Sequence, residues 1–62
     1  MKEQIKKAME KIAQGEDVFF VDTLGETFLL LNSEVSCRQV WARTNEGMDC
    51  LVWINHIEAI CP

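Results

Sequence analysis

Residues 37–54 read CRQVWAR (37–43), TNEG (44–47) and MDCLVWI (48–54), and this stretch decides the fold. Thr44-Asn45-Glu46-Gly47 has the composition of a type I turn closed by a glycine in the left-handed region, a common hairpin connection. The turn makes Cys37–Arg43 and Met48–Ile54 antiparallel neighbours. With Thr44 opposite Met48, Ala42 faces Cys50 and Val40 faces Val52. These four residues and Ile54 form one apolar face of small and medium side chains. The other face carries Trp41 opposite Leu51, with Trp53 diagonal to Trp41. Both faces of the hairpin need cover, and a chain of 62 residues has little to cover them with.

Working outward, Asp17–Val21 (DVFFV) and Thr27–Leu31 (TFLLL) read as a second strand pair. They are joined by Asp22-Thr23-Leu24-Gly25, which repeats the first turn with glycine again fourth. Phe20 then faces Phe28, and Phe19 faces Leu29. Residues 2–14 read as an amphipathic helix, with Ile5, Ala8, Met9, Ile12 and Ala13 on one stripe and Gly15 as its C-terminal cap. Asn32–Ser36 is a polar loop or a strand continued past a bend. Asn55-His56 is a short link, and Ile57–Ile60 a last strand whose apolar residues do not alternate cleanly.

The expected fold is therefore α+β and mainly β. It is a single domain over 1–62, with a helix in 1–15 and strands in 16–62. The first expectation is a strongly bent four- to five-stranded antiparallel sheet in an SH3-like or Sm-like small barrel, which would remove exposed edges. The alternative is an open antiparallel sheet with the helix packed across one face.

Composition narrows the function classes. Hydrophobic residues make up 48% of the chain, too many for a disordered segment. No apolar run approaches a membrane span, and the lysine-rich N-terminus lacks a hydrophobic signal core. Three unpaired cysteines suit a reduced, cytoplasmic setting better than a disulfide framework. The net charge of −4 is divided unevenly. Residues 1–14 hold four lysines against Glu3 and Glu10. Residues 15–62 hold Arg38 and Arg43 against eight acids. An acidic strand region repels phosphate backbones and attracts basic partners.

The layout resembles bacterial Sm-like proteins, the Hfq group in particular. The likeness rests on the helix, on Gly25 within VFFVDTLGETF, on the long hairpin, and on the rhythm of CLVWINHIEAICP. It implies a small barrel, an oligomeric ring and RNA binding. The sequence departs from the family where its members place a tyrosine-lysine-histidine run at the end of the fourth strand. Trp53-Ile54-Asn55 stands there, with His56 one step late, and no lysine follows Lys11. An acidic Sm-like chain is also similar to the inhibitors of the Rho termination factor, which implies binding a protein in place of RNA.

No nucleophile, base and orienting group are spaced for catalysis, so no catalytic residue is expected and the chain is not read as an enzyme. Cys37, Cys50, Cys61 and His56 suffice for zinc by count, but they lack the paired spacing of a zinc site. Asp17, Asp22, Glu26 and Glu34 lack the spacing of a calcium loop. No metal or cofactor is expected. The remaining feature is the pair of tryptophans. Either the helix covers Trp41, Leu51 and Trp53, with Ile5, Met9 and Ile12 pressed on the indoles, or these residues form a recognition patch flanked by Arg38 and Arg43.

The preferred expectation is a small regulatory module acting by protein–protein contact. Its partner would be a second copy of itself or a basic protein surface, with no membrane. The alternative is an Sm-like RNA binder that uses Lys2, Lys6, Lys7 and Lys11. A small barrel sensing a small molecule between its tryptophans is a third reading.

Overall fold

A computed structural model describes residues 1–33 and 38–61. The elements run α1 (Lys2–Ala13), β1 (Phe19–Asp22), β2 (Thr27–Ser33), β3 (Gln39–Arg43), β4 (Asp49–Trp53), a 3₁₀ turn (Ile54–His56) and β5 (Ile57–Ile60). They form one helix and one antiparallel sheet of order β4-β3-β2-β1-β5. The expected start of the third strand at Cys37 and the loop residues 34–36 lie outside the described residues.

The hairpin registers follow from the turns. At both turns the glycine adopts positive φ, +85° for Gly25 and +81° for Gly47. The Gly25 N–H donates to the Asp22 carbonyl and the Gly47 N–H to the Thr44 carbonyl, each at 3.0 Å. A side chain at the first turn position adds a second set of bonds. Asp22 Oδ1 accepts from the Leu24 and Glu26 N–H groups at 3.0 and 2.8 Å. Thr44 Oγ1 accepts from the Glu46 and Met48 N–H groups at 3.3 and 3.2 Å. Aspartate and threonine favour this place because a short oxygen-bearing side chain can satisfy turn N–H groups. The resulting registers are Phe19 with Leu29, Phe20 with Phe28, Trp41 with Leu51, and Ala42 with Cys50.

Two irregularities bend the sheet. The β2–β3 register shifts between Leu30 and Asn32, and the β1–β5 register shifts between Val21 and Asp22. The second shift explains why Ile57 and Ile60 break strict alternation and both pack inward. Connectivity also demands curvature. β4 and β5 occupy opposite edges, about 19 Å apart in a flat five-stranded sheet. Yet Trp53 and Ile57 are joined by the 3₁₀ turn alone, and four residues reach at most about 14 Å. The sheet must curl to bring its edges together.

It does not close. Among the described residues no ladder joins β4 to β5. The closed barrel expected first is therefore replaced by its alternative, the open sheet with a helix on one face. The 3₁₀ turn stands at the seam, where the Thr23 N–H donates to the His56 carbonyl at 2.9 Å.

The concave face holds the core. Phe20, Leu30 and Val40 are fully buried, joined by Phe28, Ala42, Ile54 and Ile57. Phe20 and Phe28 stack with ring centroids 5.3 Å apart. Helix α1 covers this face with Ile5 and Ala8 buried, while Met9 and Ile12 pack partly against it. Ala13, placed on the same stripe by its spacing, is exposed. The helix ends as Gly15 predicts. The Gly15 N–H donates to the Ile12 carbonyl at 3.0 Å and the Glu16 N–H to the Lys11 carbonyl at 3.1 Å, the two bonds of a Schellman cap.

Candidate functional site

Alternation along a strand places every second residue on the opposite face. Because Val40, Ala42, Leu30 and Phe20 point inward, Trp41, Leu31, Leu29 and Phe19 point outward. On β4 the same rule turns Leu51 and Trp53 outward while Cys50 and Val52 pack toward the core. Trp41 is 41% exposed and Trp53 51%, with Leu51 and Phe19 close to these values. The helix lies on the other face, so Ile5, Met9 and Ile12 do not cover the indoles. Of the two alternatives, cover by the helix is therefore not the one found: the curled inside of the sheet is filled by alanine, valine, leucine and stacked phenylalanines, and the indoles lie outside it.

The convex face thus carries a diagonal apolar band. It starts at Phe19 on β1, crosses Leu29 and Leu31 on β2, and continues through Trp41 and Leu51 to Trp53. Trp41 and Leu51 are direct cross-strand partners, whereas Trp53 stands opposite Gln39. Charge on β2, β3 and β4 of this face is confined to one pair. Arg43 Nε donates to Asp49 Oδ1 at 2.8 Å and Nη2 to Oδ2 at 3.5 Å, between residues that are also cross-strand partners. The hydrogen bond from Arg43 holds the Asp49 carboxyl below its usual range. The same bond to Asp49 raises the guanidinium, already charged at any ordinary pH. The benefit of the lowered carboxyl is present above the ordinary carboxylate range and is lost as pH falls through the Asp49 value. Both partners are about half exposed, so solvent screens the pair.

The two arginines named by the sequence therefore differ. Arg43 is committed to Asp49. Arg38 has no salt bridge among the described residues and lies at the far end of β3, where its carbonyl accepts the Ile54 N–H at 2.9 Å. There Arg38, Lys2 and Met1 line a groove with Trp53, Ile54 and Asn55. The meeting of Lys2 with Arg38 and Trp53 was not foreseeable, because no spacing rule links residue 2 to residue 53.

Lys2, Lys6, Lys7 and Lys11 are all exposed on α1, and of the four Lys2 lines the groove beside Trp53. His56 is exposed on the 3₁₀ turn, Cys61 is exposed, and Cys50 is half-buried. Among the described residues no three His, Cys, Asp or Glu side chains gather as metal ligands. Among the described residues no helix is long and apolar enough to cross a membrane. No family model, curated protein or solved structure matches the chain.

Proposed function

We propose that this chain is a small, non-enzymatic regulatory module that acts by protein–protein contact and self-associates. The observation that carries the reading is the convex band of Trp41, Leu51 and Trp53, exposed beside Arg38, which pairs with no acid among the described residues. Tryptophan and arginine concentrate binding energy at interfaces because they combine large contact area with a polar handle. A band this apolar in a chain that is 26% charged is costly to leave in water. The strand order and the curl support an Sm-like plan as part of the same proposal, and the odd count of three cysteines supports residence in the cytoplasm. The acidic balance of the strand region supports a protein partner over RNA.

Sedimentation tests the reading. More than one chain should be found per particle at micromolar concentration. Single-stranded RNA should bind weakly at physiological salt. A single-chain mass throughout that range would contradict self-association. Tight RNA binding whose salt dependence falls when Lys6, Lys7 and Lys11 become glutamine would establish the helix as a phosphate-binding surface instead.

A further inference from the structure

The molecule carries two grooves that differ in charge. One end holds both hairpin turns. Their residues Glu26, Asn45 and Glu46 line a shallow groove that no lysine or arginine lines. The most exposed large apolar side chains of the described residues project at this end, Leu24 at 84% and Met48 at 65%. Where β3 begins and β4 ends lies the groove of Lys2, Arg38 and Trp53. Glu3 does not line it, and among the described residues neither Lys2 nor Arg38 is paired with an acid. One end therefore offers acids beside apolar knobs, and the other offers cations beside an exposed indole.

We propose that a second copy of this chain fills the Lys2–Arg38–Trp53 groove with its turn end. Glu26 and Glu46 of one copy approach Arg38 and Lys2 of the next, and Leu24 or Met48 rests against Trp53. The occupant follows from charge complementarity. The groove is a cationic place on a chain of net charge −4, and the turns are its acidic counterpart. Such a contact joins unlike surfaces, so it propagates head to tail, either closing into a ring or growing as a filament. It leaves Trp41 and Leu51 on the convex face free for a different protein. The proposal rests on the reading that the chain self-associates and specifies the surface that does so.

Charge reversal tests it. One variant carries Lys2→Glu and Arg38→Glu, the other Glu26→Lys and Glu46→Lys. All four positions are exposed, so circular dichroism should match the parent protein. Each variant alone places like charges in the contact and should associate at least roughly a hundredfold more weakly. Mixing the two should restore association at one-to-one composition, because every contact then joins opposite charges. Association of the parent protein should also weaken as salt rises. Two results would overturn the proposal: variants that associate as the parent does, or a mixture that stays dissociated. If the variants still associate and Leu51→Lys prevents it, the convex face is the self-contact; this end-to-end contact is then wrong and the self-association reading survives. A parent protein that is a single chain at every concentration removes both.

Discussion

Replacing Phe20 with alanine should remove most of the domain's stability and leave up to about half of the population unfolded at room temperature. Phe20 is fully buried at the centre of the concave face, stacked on Phe28 and paired in register with it. Truncating a buried phenylalanine costs about 3–5 kcal/mol, from lost transfer energy and from the cavity left behind. A domain of this size has about 5 kcal/mol of stability in total. The variant should show reduced ellipticity at 25 °C and no cooperative thermal transition, or one shifted down by tens of degrees. Phe19→Ala is the control. Its neighbour in sequence points out of the sheet and is 43% exposed, so this change should leave the fold intact. Comparable losses in the two variants would mean that the faces of β1 are assigned the wrong way round.

The second large effect is at the helix. A helix of 12 residues is marginal in isolation, so α1 depends on docking. Ile5 carries that docking at 4% exposure. Ile5→Ala should cost about 2–5 kcal/mol. Ile12, next on the stripe, is only partly buried and its truncation should cost less. Lys7→Gln is exposed and should change stability by less than about 0.5 kcal/mol. Thermal melts of the three variants should rank in that order. Equal melting temperatures would show that α1 is not held through Ile5.

The hairpins were legible because their turns are local. A four-residue pattern ending in glycine sets each register, and the register sets every cross-strand pair, including Trp41 with Leu51 and Phe20 with Phe28. The helix was legible from its stripe and its cap. The side of the sheet that the helix covers was not. Both faces of the hairpin are apolar, so the pattern allows either. The choice goes with the tertiary packing, in which the sheet curls at the bulges and the short β4–β5 link with Val40 and Ala42 inside and the indoles outside. Whether the edges meet in a ladder was equally hidden, since it depends on how β5 pairs with β1 across the irregularity at Val21. The candidate site was half visible. Trp41, Leu51 and Trp53 could be named from alternation alone. The pairing of Arg43 with Asp49 follows from a register that the sequence allows one to count. The approach of Lys2 to Arg38 and Trp53 comes from tertiary packing of the helix start against the end of the hairpin.

Quenching of tryptophan fluorescence by acrylamide tests the central claim most directly, namely that the sheet keeps its indoles on the face opposite the helix. In dilute protein, at a concentration where sedimentation finds single chains, both Trp41 and Trp53 should be readily quenched and emit at long wavelength. Truncating Ile5 at low denaturant should change that accessibility little, since the helix does not shield them. Indoles that are protected in the single chain and become exposed when the helix is undocked would place them beneath α1 and contradict the account.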